Sequence, residues 1–392
     1  MKAEELLEGP RGRRFVSEAM YRARARADVA IGHAAPPWWF AGVSESAAFL
    51  RGADPAMLRG LSERDLMMSI VESVDSAMYW QPPHAEDVMM AEPLVADVLR
   101  PAAEALAGHP VLDRLDRPLL AAPGRLAHPA GHIDWFDENY LERREPPHLA
   151  RVDEQGRDKL DFWHERIQDD LRRRHKFAWR WRSVRANISG EWWAAPIPVN
   201  LLRTSALPDF ALPDGAPPST TASGGPDAGA PRGSGLLLDA IEDSFGWKSG
   251  TVTAFDLAPG AAPRVYEVDS SGAWASLVSR FPLDVTHVRR HDWFHVTGLD
   301  VPWFIPDWRR VAEEYDAVHV TLSGYLTTAT RAVRVDSELG PKAHTMLAGW
   351  DPDQTFWFDA ALRVTERFDV ELVESQCGDD LFGAGTWRRK AS

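Results

Sequence analysis

The sequence predicts an α+β fold, with an all-helical N-terminal domain over residues 1–185 followed by a mixed α+β domain over 186–392 that carries a long disordered loop. Three observations predict it. Apolar residues recur at helical spacing from Phe15 to about Arg185, short strand-like runs take over after Arg185, and Asp214–Gly235 consists almost wholly of Gly, Pro, Ala, Ser, Thr and Asp. Such a tract buries too little apolar surface to offset the entropy of ordering it. It is read as an insertion at 214–235 within the second domain, because loop-closure entropy grows only logarithmically with length.

The helices follow in order. Ser62 is placed to cap a helix whose first turn holds Glu63 and Asp65, with Leu66, Ile70, Val74 and Met78 four apart on one face. A second helical stretch spans Ala85 to Leu106, and Pro93 and Pro101 are expected to kink or divide it. A third runs from about Asp153 to Lys176, with Leu160, Trp163, Ile167 and Leu171 as its buried stripe.

The strand candidates are Gly250–Leu257, Arg264–Val268, Ala317–Leu322 and Gln354–Phe358, and short helices are expected over 273–280 and 306–315. Irregular loops rather than regular crossover helices separate the strands, so a doubly wound parallel sheet is not expected.

Composition narrows the function classes. A net charge of −14 and a pI near 5.4 disfavour binding to nucleic acid or an anionic membrane by the surface as a whole. The single cysteine, Cys377, allows no internal disulfide and no cysteine-based zinc site, which points to a reducing compartment. No window of about 18 apolar residues and no apolar leader segment occurs, so a cytoplasmic protein with no membrane partner is expected. Phosphate-loop, dinucleotide-binding and nucleophile-elbow glycine patterns are all missing.

Several constellations could carry chemistry. Arg172–Arg185 interleaves cations with Phe177, Trp179 and Trp181, as a single-stranded nucleic acid would require, yet the same residues suit a basic helix end leading into a core. His287, His291 and His295 recur every four residues, but Trp293, Phe294, Val296 and Thr297 favour a strand, where such positions lie about 13 Å apart, so no metal is assigned to them. His319, Thr321 and Ser323 fall on one alternating face of an apolar strand, where polar groups must find partners or line a cleft. The segment Asp351–Gln354 could bring carboxylates and an amide to the same place.

The stretch 191–358, with Glu191-Trp-Trp-Ala-Ala-Pro, Val318-His-Val-Thr-Leu-Ser-Gly-Tyr-Leu and Gly349-Trp-Asp-Pro-Asp-Gln-Thr-Phe-Trp, resembles a family of bacterial proteins with no attached activity. The order of an arginine on a strand, Ser/Thr residues on a later strand and an acidic residue near a last strand is also loosely similar to ADP-ribosyltransferases. That likeness implies that Arg264, Ser323, Thr327 and Thr328 hold NAD and that Asp353 serves transfer, although Asp351-Pro-Asp-Gln stands here where that family has Gln/Glu-x-Glu.

The leading expectation is a group-transfer enzyme acting on a nucleotide-type substrate such as NAD. In it Asp353 and His319 are catalytic, and Arg264, Tyr266, Thr321, Ser323, Thr327, Thr328 and Gln354 bind substrate. A non-catalytic protein-interaction role, with exposed aromatics and Arg172–Arg185 holding a protein partner, is the alternative. Nucleic-acid binding through 172–185 is third.

Overall fold

Side-chain caps from Asp54 and Ser62 start two of the helices near the N-terminus. In the computed structural model the described residues are 1–33, 42–135, 156–176, 194–196, 201–208, 235–242, 246–359, 361–373 and 385–390. The tract 214–234, the Glu191–Trp193 stretch and the basic run beyond Lys176 lie outside them.

Helices α1 (Ala3–Glu8) and α2 (Pro10–Ala30) pack beside α3 (Glu63–Asp75), α4 (Pro93–Ala107) and the shorter helical turns Val43–Leu50, Pro55–Arg59 and Ala85–Met90. Ser62 and Asp65 form a reciprocal capping box at the start of α3, satisfying two otherwise unpaired backbone donors. Pro93 divides the second helical stretch as expected. Pro101 does not: it sits inside α4 on the exposed face, where solvent meets the lost backbone bond. Helix α5 (Gly156–Lys176) buries Leu160, Trp163 and Ile167, as its spacing predicts.

In α2 the charged residues Arg14, Glu18 and Arg22 are buried, with Glu18 Oε1 3.1 Å from Arg14 Nε. Burial pushes the Glu18 carboxyl up to about 7, opposed by Arg14 and reinforced by Glu72. Its folded pKa lies above the unfolded value near 4.5, so the associated stability is complete below about 4.5 and is lost as pH rises through about 7. The unfolding free energy of Glu18→Gln is therefore expected to gain on wild type by about 1–3 kcal/mol between those pH values. A pH-independent difference in urea titrations would refute this.

The rest of the chain builds an α+β architecture around one eight-stranded sheet. Its strands are β1 (Ala130–Trp135), β2 (Leu202–Ala206), β3 (Ser249–Leu257), β4 (Val265–Val268), β5 (Ala317–Val320), β6 (Gln354–Trp357), β7 (Leu362–Val373) and β8 (Thr386–Arg389), in the spatial order β8-β7-β3-β1-β2-β6-β5-β4. All neighbouring pairs are antiparallel except β4 and β5, whose parallel pairing needs the long crossover through α6 (Ser271–Arg280), α7 (Thr286–Thr297) and α8 (Trp308–Glu314). Helix α9 (Leu322–Thr328) then lies against β4 so closely that a side chain on Gly324 would collide with the Val268 carbonyl.

Three local expectations are corrected. The N-terminal 185 residues are not wholly helical, since β1 sits in the middle of the sheet and a small hairpin, Leu120–Ala122 with Arg125–Leu126, precedes it. Residues 286–297 form helix α7 rather than a strand. Burial of Val288, Trp293 and Val296 overrides their β preference, and Gly298 at φ 72° ends the helix. Thr321 and Ser323 do not continue β5. Thr321 caps α9 by accepting a hydrogen bond from the Gly324 N–H, so the chain leaves the strand at Val320.

A single hydrophobic cluster includes Phe15, Ile70, Leu99 and Trp163 together with Trp274, Trp308, Val320 and Phe356, so residues on both sides of position 185 share it. Trp308 and Trp350 pack at 5.8 Å between ring centres, with Trp274 against both. Two smaller clusters cover the other parts of the sheet. Among the described residues no helix is long and apolar enough to cross a membrane.

Candidate functional site

Cross-strand partners point to the same face of a sheet, so the register β4–β5–β6–β2 aligns Glu267, His319, Thr355 and Thr204 in one polar row. His319 is 1% exposed. Its Nδ1 lies 2.6 Å from Glu267 Oε2 and its Nε2 3.2 Å from Asp353 Oδ1. Burial alone would push the imidazole down, but the hydrogen bonds to Asp353 and Glu267 and the charges of both carboxylates outweigh it and raise the pKa to about 10. At neutral pH His319 is a cation donating from both nitrogens. It offers no lone pair to a substrate proton or a metal.

Asp353 is held at both ends. Oδ1 faces His319 and Oδ2 accepts the Ala206 N–H at 2.6 Å. Its backbone is left-handed, φ 59°, a conformation that aspartate tolerates better than most residues but that still costs about 1 kcal/mol or more. Leu119, just before the small hairpin, donates its N–H to Glu267 Oε1 at 2.9 Å, closing the row.

The adjacent residue, Gln354, belongs to the opposite face, and there the structure forms a cleft of about 250 Å³. Its walls come from β1 (His132, Ile133, Trp135), β2 (Arg203, Thr204, Ser205), the turn Leu236–Glu242, Trp247 and the segment Gly349–Gln354. Trp135 and Trp247 stack with ring centres 5.4 Å apart and planes 14° from parallel, and Trp387 backs Trp135. Asp351 Oδ1 accepts the Glu242 N–H at 2.7 Å and Oδ2 accepts from Gln354 Nε2 at 2.6 Å. That bond fixes the amide orientation, leaving Gln354 Oε1 as a buried acceptor with no hydrogen-bond partner among the described residues, in a side chain 5% exposed. Glu242 Oε1 accepts both the Tyr325 hydroxyl at 2.7 Å and the Tyr79 hydroxyl. The cleft thus combines an indole wall, two fixed carboxylates, an unused acceptor and the exposed guanidinium of Arg203.

The structure brings some of the expected site residues together and separates others. His319 and Asp353 meet, with Glu267 as the partner that sequence reading missed. Gln354 lines the cleft beside Asp351. Arg264 lies elsewhere, exposed just before β4 and ion-paired with Asp316 at 2.8 Å. Tyr266 donates its hydroxyl to the Ala273 carbonyl at 2.8 Å. Ser323 Oγ donates to the Asp269 carbonyl and lies 3.0 Å from Thr321 Oγ1, while Thr327 Oγ1 donates to the Ser323 carbonyl; Thr328 is fully buried. These hydroxyls are spent on shaping α9. Glu242, Arg203, Trp135, Trp247, Tyr79 and Tyr325 were also missed. A carboxylate flanked by apolar neighbours in Tyr266-Glu-Val268 was the one local signal for Glu267.

His287 and His295 flank the buried His291 along α7, and among the described residues no group of three or more His, Cys, Asp or Glu is placed to hold a metal ion. No family model, curated protein or solved structure matches the chain.

Proposed function

We propose that the protein is a group-transfer enzyme acting on a nucleotide-type molecule held in the cleft between β1, β2 and the Gly349–Gln354 segment. The observation that carries the reading is the convergence of the Trp135–Trp247 stack, Arg203 and the carboxylates of Asp351 and Glu242 on one cleft of about 250 Å³. Indole faces take a base, a guanidinium takes phosphate, and fixed carboxylates take ribose hydroxyls. The volume suits one nucleoside unit, so the remainder of a dinucleotide such as NAD would extend past the rim at Arg203.

In this reading Asp351 and Glu242 stand where charge develops during transfer, and their orientation is fixed in advance by the Gln354 amide and the phenols. Asp353 and His319, already bonded to each other, support the β6 end of the cleft from the opposite face.

Calorimetric titration with NAD, AMP and ATP tests the proposal, alongside nicotinamide release from NAD. Binding by wild type is expected to weaken about tenfold or more in Trp247→Ala and in Arg203→Ala. Asp351→Asn is expected to lower turnover more than binding. Absence of heat and of thermal stabilisation with every nucleotide at millimolar concentration overturns it and returns the protein-interaction reading.

A further inference from the structure

Tyr79 and Tyr325 come from opposite ends of the sequence, one just after α3 and the other within α9, yet both phenols point at a single oxygen of Glu242. Tyr79 is 2% exposed and Tyr325 is fully buried, so neither hydroxyl can exchange its partner for water. The Glu242 backbone is fixed as well, through its N–H to Asp351 Oδ1. Two neutral donors on one carboxylate oxygen stabilise the ionised form and set the plane of the group. This costs no reorganisation when a ligand arrives.

We propose that Tyr79 and Tyr325 are positioning residues that clamp Glu242 as an ionised, fixed acceptor on the cleft wall, so that the helical layer carrying Tyr79 sets the strength of binding on the sheet. The proposal rests on the cleft reading for the identity of the ligand, but the clamp is a property of the unliganded protein. Among the described residues, the charge of Arg11 acts on both phenols and that of Asp351 on Tyr325, while Arg203 and His132 share the cleft wall with Glu242. Burial, foremost, and the Glu242 charge hold both phenols protonated well above their ordinary range, so they remain donors at every pH at which the protein is handled.

The experiment is an acid titration of the Glu242 carboxyl by carbon NMR in the full-length, ligand-free protein, assigned with Glu242→Gln, in wild type, Tyr79→Phe and Tyr325→Phe. Phenylalanine keeps the ring that fills the core and removes only the donor. Each variant is expected to raise the Glu242 midpoint by about one pH unit, a tenfold gain in proton affinity. The acid limb of AMP binding should move by the same amount, which a merely space-filling tyrosine would not produce. An unmoved midpoint overturns the clamp. A shifted midpoint in a protein that binds no nucleotide sustains the clamp and overturns the nucleotide reading. Should one phenylalanine variant fail to fold, the other and the tyrosine ring signals in Glu242→Gln supply the same comparison.

Discussion

Arg11→Met is expected to lose about 3–5 kcal/mol of unfolding free energy, the largest single-residue effect in the helical layer. The guanidinium is 2% exposed and fully engaged: Nη1 donates to the Ser73 carbonyl at 2.7 Å, Nε to Thr330 Oγ1 at 3.2 Å, and Nη2 pairs with Asp87. Methionine fills most of the volume but strands Asp87, 5% exposed, as an uncompensated buried charge. Urea unfolding followed by tryptophan fluorescence reads the loss. The double variant Arg11→Met with Asp87→Leu should recover most of it, because removing both charges removes the desolvation cost with the attraction. A single variant within about 1 kcal/mol of wild type would show that water reaches this pair.

His319→Gln is expected to cost a comparable 3–5 kcal/mol at neutral pH, since it leaves Glu267 and Asp353 facing a neutral amide in a buried site. The pH signature distinguishes this from lost packing. The folded pKa is raised from 6.5 to about 10, so the stabilisation is complete below about 6.5 and lost as pH rises through about 10. The gap between wild type and variant in urea midpoint should therefore narrow steadily across that window. A gap that stays constant from pH 6 to pH 10 would mean that the imidazole is not the cation between the two carboxylates.

Elements written in local chemistry were legible in the sequence. Ser62 with Asp65 announced α3, the three- and four-residue spacing of Leu160, Trp163 and Ile167 announced α5, and Gly250–Leu257 announced β3 within one residue. β1 was not legible because Ala130-Gly-His-Ile-Asp-Trp has no apolar run of its own. Its strand character comes from β3, over a hundred residues further on. α7 was misread for the opposite reason: its β-favouring aromatics are helical because the surrounding core buries one side of a helix. At the site, His319 and Asp353 could be picked out as polar residues in apolar surroundings. Arg264 could not be excluded from sequence, because Asp316, the residue that occupies it, lies 52 positions away. The cleft assembles from β1, β2, the 236–242 turn, Trp247 and the Gly349–Gln354 segment, and no short window of sequence contains it.

The place of β1 and β2 at the middle of the sheet also dictates when the protein can be finished. As the chain leaves the ribosome, β1 and β2 emerge first, yet β1 needs β3 on its far side and β2 needs β6, which begins at Gln354. At about 5–20 residues per second, roughly 7–30 s of translation separate the appearance of β2 from that of its second partner. Throughout that interval a nascent chain displays an unpaired strand edge with apolar flanks, the surface that misassociates most readily. Translation speed between residues 206 and 354, and shielding of that edge, thus bear on the yield of native protein.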